Sequence, residues 1–503
     1  MSATEATTGG ARGDEKTVLV DWMARQYDIS AAVMLRAISA THLVKERRGF
    51  GQMIRPARGS VLASTALGSW DPDPDYFFHW LRDSAIVIDA LRHVIAEGAL
   101  AGEEISRFKE FVAFSLSLNR LDSAGFLRIA GDFRKNVEPF FLQYVREDGD
   151  FLSIRGDRVL GESRFNPDGT LDIIKWNRPQ HDGPALRALA LMRFWPLDVL
   201  DDATRASMRA LILIDLGFIV QHWPEPCFDI WEEELGHHYY TRLMHHAALT
   251  DGARWIAETG TDETTRAQAC RAAAQEIAES LDEYWCPAKG FYASRRRVVN
   301  GMAGKELDFA TILGVIHAAR EKGAHSVLDP RVMATLARLE ELFEASYAIN
   351  RDRPETRGPA MGRYAGDRYF SGGAYYFSTL GTAEFYYALA KAAAGAEVPV
   401  TADNEKFLLR LGVDSLALPP PAPEHRKRRF EALLRRGDQF MATVAAYTPA
   451  GGELSEQFDQ VTGVQTSAKS LAWSHAALVT ALARRKAAMR AGGIELSQSG
   501  AAL

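Results

Sequence analysis

The sequence predicts an all-α protein folded as an (α/α)6 toroid of twelve helices, with its long loops at one end. Apolar residues with helical spacing dominate the 503-residue chain, and strand-like alternation is confined to short pieces between helices. Pro and Gly residues divide the chain into twelve main helices. Their predicted positions are about 16–41, 83–97, 103–120, 183–195, 204–223, 237–258, 263–284, 308–318, 332–349, 376–394, 424–446 and 470–491.

The connections between these helices differ in length in a regular way. Several of those after even-numbered helices are short, with a Pro-rich exception at 395–423 that holds a shorter helical piece near 403–415. Those after odd-numbered helices are mostly long, at 42–82, 121–182, 224–236, 285–307, 350–375 and 447–469. Successive connections in an up-and-down array alternate between its two ends. The long loops are therefore expected at one end, where loops on a rigid scaffold commonly carry function.

The composition predicts one large domain over residues 16–491, without a nucleic-acid or membrane partner. Hydrophobic residues make up 47% of the chain, and no composition change marks a boundary within it. The formal net charge of −6 gives no reason to expect nucleic acid or an anionic membrane. No apolar run is long enough to cross a bilayer. Residues 1–15, which lack a secretion signal, and 492–503 are expected to form disordered tails.

The three cysteines are Cys227, Cys270 and Cys286. They include no C-x-x-C motif, and their number and spacing do not indicate a disulfide framework. Reduced thiols are typical of the cytoplasm. The sequence therefore predicts a cytoplasmic protein.

The third long loop contains the run Asp229-Ile230-Trp231-Glu232-Glu233-Glu234. Pro224 and Pro226 prevent the preceding helix from continuing into it. A tryptophan offers an apolar platform for a sugar ring, and adjacent carboxyl groups can transfer protons. The alternative is a loop that only caps the helix expected near His237.

The first two long loops end in aromatic residues beside an Arg and an Asp. Aromatic rings stack on sugars, and Arg and Asp hold hydroxyl groups through charge-assisted hydrogen bonds. Alternatively, Asp83 and Asp182 cap the helices that follow them. The residues are Tyr76, Trp80, Arg82 and Asp83 in the first loop, and Trp176, Arg178 and Asp182 in the second.

The fifth and sixth loops add further polar residues. The Gly-rich segment 362–373 holds Arg363 and Asp367, and the sixth loop holds Glu456. Glycines permit close approach of the backbone to a ligand. A single Glu in such a loop is ordinarily a solvent-exposed surface residue. Glu456, however, is expected at the same barrel end as Glu232.

Four histidines follow the acidic run: His237, His238, His245 and His246. Glu234-x-x-His237 has one helical metal spacing, but a carboxylate-bridged site needs a second such motif, and H-E-x-x-H is absent. The histidines are therefore interpreted as helix-face or substrate-edge residues, and no metal is expected. The sequence also lacks the dinucleotide, Walker and nucleophile-elbow motifs, so no cofactor is expected.

Taken together, these loops resemble the glucoamylase family of glycoside hydrolases. The similar segments follow the family's order, span nearly the whole ordered chain and are highly specific as a set. They are PDYFFHWLRDSA (74–85), RFNPDGT (164–170), WNRPQHDGPALRA (176–188), DIWEEE (229–234), GRYAGDRYF (362–370), LSEQFD (454–459) and TSAKSLAWSHAAL (466–478).

The resemblance implies an (α/α)6 catalytic domain that removes glucose from the non-reducing end of short malto- or isomalto-oligosaccharides, with inversion. Glu232 takes the place of the general acid and Glu456 that of the general base. The substrate-binding positions fall on Tyr76, Trp80, Arg82, Asp83, Trp176, Arg178, Trp231, Glu233 and Arg363.

Inversion requires one protonated and one ionised carboxyl group, roughly 6.5–9.5 Å apart. Glu232 is expected to hold its proton, because Trp231 and the like-charged Glu233 disfavour its charged form. Glu456 is expected to stay ionised in a more open, polar surrounding.

Three positions depart from the family's pattern: Gly366, where the family usually has an acid, Tyr375, where tryptophan is common, and Leu235, where a polar residue is usual. They leave linkage preference and substrate length open. No starch-binding module or N-terminal β-sandwich is recognisable, which favours short intracellular oligosaccharides. A trehalase with the same machinery is the alternative. A sugar phosphorylase and a non-catalytic sugar-binding protein are disfavoured by the presence of both Glu232 and Glu456.

Overall fold

Twelve helices form two concentric rings in the computed structural model, which describes residues 6–68, 72–98, 102–260, 263–299, 301–412 and 423–494. The inner ring consists of Leu81–Glu97, Asp182–Phe194, Tyr239–Glu258, Ala310–Ala318, Tyr376–Gly395 and Ala472–Ala491. The outer ring consists of Ala6–Ala37, Glu103–Leu118, Asp202–His222, Thr264–Leu281, Pro330–Ser346 and Pro423–Tyr447. Each inner helix packs against the next, and the last packs against the first, which closes the ring. The predicted (α/α)6 toroid is confirmed.

Burial explains which helices take the inner positions. In the inner helix 310–318 every residue except His317 is buried, so the helix is enclosed on all sides. The outer helix 330–346 instead buries one face, which includes Val332, Leu336 and Phe343. A helix that is apolar all round is stable only inside the protein, whereas an amphipathic one can cover it.

Short elements occupy the long loops and join them in pairs. Strands 79–80 and 164–165 link the first loop to the second, strands 227–228, 235–238 and 295–296 link the third to the fourth, and strands 374–375, 457–458 and 465–466 link the fifth to the sixth. Two further hairpins pair 45–47 with 52–54 and 285–286 with 291–292. Shorter helices cover 123–130, 148–152 and 405–410, and 3-10 turns cover 48–50, 133–136, 139–144, 156–161, 282–284 and 348–350.

The first helix, expected at about 16–41, spans Ala6–Ala37, and a short strand precedes the helix expected at about 237. The first helix begins at Ala6, because no proline interrupts this segment and Gly9 and Gly10 weaken a helix by only about 1 kcal/mol each. Residues 1–5 and 495–503 of the predicted tails lie outside the described residues. The helix expected at 237 begins at Tyr239, because 235–238 pairs with strands on both sides. Among the described helices, none is long and apolar enough to span a bilayer.

Candidate active site

A cavity of about 400 Å³ lies at the end of the barrel where the inner helices begin. Cavities of this size are typical of small-ligand sites. Every member of the predicted set except Arg178 lines it. These residues are Tyr76, Trp80, Arg82, Asp83, Trp176, Trp231, Glu232, Glu233, Arg363 and Glu456.

The acidic run is folded into a tight turn by its first residue. The Asp229 carboxylate accepts hydrogen bonds from the backbone N–H groups of Glu233 (2.7 Å) and Glu234 (3.1 Å). The N–H of Glu232 donates to the carbonyl oxygen of Asp229 at 2.9 Å. This turn gives Glu232 a φ of 63°, in the left-handed region. Such a conformation costs a non-glycine residue about 1–3 kcal/mol and is commonly found at functional sites.

Three N–H groups converge on the side chain of Glu232. Trp80 Nε1 donates to Oε1 at 2.8 Å, and Arg82 Nη2 donates to the same oxygen at 3.2 Å. Trp176 Nε1 donates to Oε2. The side chain is 8% exposed, so these donors fix the carboxyl group at the cavity wall.

Glu456 is more enclosed than expected, and the prediction of an open surrounding is wrong. Strand 457–458 pairs on both sides, and the N–H of Glu456 donates to the carbonyl oxygen of Ala468 at 2.8 Å, so the loop folds over the residue. Burial raises the pKa of Glu456 to about 7, although a hydrogen bond from Ser467 to Oε2 favours the charged form. Oε1 lies 3.5 Å from the hydroxyl of Tyr76.

Glu233 is paired with two cations and does not act as a free like charge beside Glu232. Arg363 Nη2 donates to Oε1 at 2.9 Å, and the Tyr364 hydroxyl donates to Oε2 at 2.6 Å. Lys305 forms a further ion pair with Oε2. The repulsion that Glu233 was expected to exert on Glu232 is therefore offset.

Arg82 lies among three carboxyl groups at one side of the cavity. Its guanidinium is 3.2 Å from Asp83, 3.2 Å from Glu232 and 3.6 Å from Asp182. Burial raises the pKa of Asp83 to about 6, against the effect of Arg82. Arg82 Nη1 and Asp83 Oδ2 are buried and, apart from these ion pairs, make no hydrogen bond to the described residues. The helices that begin at 81 and 182 have no side-chain cap, which excludes the capping role considered for Asp83 and Asp182.

Aromatic rings form the wall and the floor of the cavity. On the wall, the ring centroid of Trp80 lies 5.2 Å from that of Tyr76 and 6.2 Å from that of Trp176. On the floor, Phe377 and Trp473 stack at 4.3 Å with an interplanar angle of 8°. The void behind this pair has a volume of about 30 Å³, so the cavity is closed on that side.

Two residues of the sequence motifs lie away from the cavity. Arg178 donates to Glu162 at 2.8 Å and to Asp172 at 3.1 Å, so it joins a buried ion-pair cluster behind the second loop. Glu234 is 3% exposed and pairs with Arg295. The strand after Glu234 turns its side chain toward the fourth loop.

None of the four histidines lines the cavity, and His237 contacts the side chain of Arg242. His238 Nε2 lies 3.1 Å from the carbonyl oxygens of Cys227 and Glu234, and His245 Nε2 lies 2.9 Å from that of His181. In the part of the chain that the structure describes, no group of three or more His, Cys, Asp or Glu residues could hold a metal ion.

The three departures from the family pattern, Gly366, Tyr375 and Leu235, also lie off the cavity wall. Lining residues outside the predicted set are Lys175, Asn177, Ile230, Tyr369, Phe377, Leu471 and Trp473. Most are sequence neighbours of a predicted residue or lie in the first turn of an inner helix. Proximity to the ends of the long loops is the signal that could have identified them.

The profile of the family described as Glycosyl hydrolases family 15 matches residues 49–483. The chain belongs to glycosyl hydrolase family 15. It is therefore a glycoside hydrolase, and the predicted recognition and enzyme class are confirmed.

Several glucoamylases are similar to this chain over most of its length. Glucoamylase 1 of Rhizopus oryzae is 27% identical over 92% of this chain and 71% of the relative. The protein described as "Glucoamylase, intracellular sporulation-specific" of Saccharomyces cerevisiae is 25% identical over 92% of this chain and 83% of the relative. The structure of Hormoconis resinae glucoamylase is 27% identical, with a TM-score of 0.74 over 92% of this chain and 73% of that chain. Because these family 15 relatives are glucoamylases, the trehalase alternative is not favoured.

Proposed function

We propose that this family 15 enzyme removes glucose from the non-reducing ends of α-glucosides with inversion, with Glu232 as general acid and Glu456 as general base. The observation that carries the proposal is that these two carboxyl groups, from the third and sixth loops, line one cavity. Stacking aromatic rings and the Arg82–Asp83 pair line the same cavity. Two carboxyl groups and a sugar-binding surface are what glycoside hydrolysis requires.

In the proposed reaction Glu232 donates its proton to the glycosidic oxygen as the bond to the anomeric carbon breaks. The N–H groups of Trp80 and Trp176 hold its two oxygens in place for this transfer. After the transfer, the charge of Arg82 at 3.2 Å stabilises the carboxylate that remains.

Glu456 accepts a proton from the water that attacks the anomeric carbon on the opposite face. Ser467 engages Oε2, so Oε1 is the oxygen available to that water. Burial makes this carboxylate more basic than an exposed one and so a stronger proton acceptor near neutral pH. The closed floor of Phe377 and Trp473 suits the binding of a chain end.

The acidic limb of the pH profile should report on Glu456. Its pKa is raised to about 7, so the ionised base is lost as the pH falls through that value. We expect kcat/KM for maltose to decline below about pH 7, well above the ordinary titration range of a glutamate. In Ser467→Ala the limb should move to higher pH, because Ser467 favours the charged form. A limb near pH 4 to 5 that Ser467→Ala leaves in place contradicts this assignment.

The stereochemistry of the product tests the mechanism directly. Inversion of an α-glucoside yields β-glucose as the first product. With maltotetraose we expect the β-anomer of glucose to appear first in proton NMR spectra, and the rates of hydrolysis of maltose, isomaltose and trehalose are compared beside it. Prior appearance of the α-anomer refutes inversion, and exclusive turnover of trehalose refutes the proposed substrate class.

We also propose short oligosaccharides in the cytoplasm as the working substrates. Two features support the location: the three cysteines are free thiols, and the S. cerevisiae relative is described as intracellular. Fractionation of the native host tests the location, and enzyme recovered mainly from the medium contradicts it.

A further inference from the structure

The fourth long loop holds none of the predicted site residues, yet it contacts the acidic run from behind. Lys305 is 1% exposed, and its Nζ lies 2.5 Å from Asp229 Oδ2 in addition to its ion pair with Glu233. The strand pairing of 295–296 with 235–238 ties the same loop to the end of the acidic run. The geometry of the acidic run therefore depends on the fourth loop.

Asp308, at the end of that loop, makes the most direct of these contacts. Trp231 Nε1 donates to both of its carboxylate oxygens, at 3.0 and 2.9 Å. Asp308 is 1% exposed and also accepts a hydrogen bond from the N–H of Ala310, at 2.7 Å, in the first turn of an inner helix. The carboxylate thus anchors the tryptophan to the rigid inner ring.

The ring of Trp231 lines the cavity and precedes Glu232 in the chain. It packs beside Phe377 at 6.0 Å, and the Arg363 guanidinium lies 5.2 Å from its centroid. Packing restricts the plane of an indole, but a hydrogen bond from its N–H selects one orientation within that plane. Small displacements of a catalytic group strongly lower the reaction rate. The orientation of the Trp231 indole therefore matters for Glu232, which follows it in the chain.

We propose that Asp308 is a positioning residue, which fixes Trp231 and through it the general acid Glu232. Asp308 does not line the cavity and acts only through the tryptophan. The inference rests on the proposed function for its kinetic consequence, whereas the hydrogen bond itself is testable without turnover.

The kinetic test compares Asp308→Ala, Asp308→Asn, Trp231→Phe and the double variant Asp308→Ala/Trp231→Phe on maltotetraose. Asp308→Ala should lose about tenfold in kcat/KM, mainly in kcat. Asn retains a side-chain oxygen acceptor and should recover most of this loss. Trp231→Phe, which removes the N–H, should lose about as much, and the double variant little more, because both changes break one interaction. Wild-type kcat/KM in Asp308→Ala, or losses that multiply in the double variant, overturn the proposal.

Asp329→Ala is the matched control. Asp329 is also buried and bonds to the N–H of Arg331 at the start of a helix, but it does not contact the acidic run. Its loss should lower the melting temperature and leave kcat/KM unchanged. An equal kinetic loss in Asp329→Ala attributes the effect to general destabilisation and overturns the proposal.

Solvent exchange of the Trp231 indole N–H separates this proposal from the proposed function. The resonance is identified in nitrogen-15 NMR spectra by its absence in Trp231→Phe. It should exchange slowly in the wild type and faster in Asp308→Ala, whether or not any glucoside is hydrolysed. Unchanged exchange overturns the inference. Slow exchange in an inactive wild type contradicts the proposed function alone.

Discussion

Replacement of Glu232 by Gln should lower kcat for maltose about 10³-fold without unfolding the protein. The amide keeps the shape of the side chain and can still accept a hydrogen bond from Trp80 (2.8 Å in the wild type), but it has no acidic proton for the glycosidic oxygen. The measurement is steady-state glucose release, with circular dichroism to confirm that the variant is folded.

The leaving group supplies the control for Glu232→Gln. Fluoride departs from α-glucosyl fluoride without protonation, so a general acid contributes little to its hydrolysis. We expect the variant to lose about tenfold or less on this substrate, against about 10³-fold on maltose. Equal losses on both substrates, or substantial residual activity on maltose, contradict the role of proton donor.

Replacement of Glu456 by Gln should abolish nearly all turnover of both substrates. Water must be activated whichever group leaves, and an amide oxygen is too weak a base to accept the proton. A loss of about 10³-fold or more is expected on maltose and on α-glucosyl fluoride alike. The contrast between the two variants assigns acid and base independently of any structure of a complex.

Glu384→Gln is the matched control for Glu456→Gln. Glu384 is also a buried carboxyl group whose pKa burial raises to about 7, but it pairs with Arg484 and does not line the active-site cavity. Its replacement should leave kcat within about twofold, because it touches no reacting atom. Comparable losses in Glu384→Gln and Glu456→Gln contradict the base assignment.

The scaffold was predictable because its signals are local and repeated. Helical spacing and the alternation of long and short loops required no knowledge of distant contacts, and the closed ring of inner helices confirms both. The start of the first helix was missed because Gly9 and Gly10 resemble a loose tail in composition. The strand at 235–238 was missed because it exists only through pairing with 227–228 and 295–296, which the run itself does not encode.

The site was predictable to the extent that its residues carry recognisable motifs. Glu232 and Glu456 were assigned to one barrel end from loop order, and they line one cavity. The enclosure of Glu456 depends on the neighbouring strands and could not be read from its own loop. Lys305 and Asp308 belong to no motif, and their role follows only from contacts between separate loops.

The stacked pair of Phe377 and Trp473 affects how substrate enters the cavity and how product leaves it. The void behind it holds roughly one water molecule, so glucose formed in the cavity has no exit on that side. On the proposed function, the shortened chain blocks the mouth until it dissociates, and glucose follows it out. Hydrolysis is then distributive, with one residue removed per encounter, and accumulated glucose competes with chain ends for the same space.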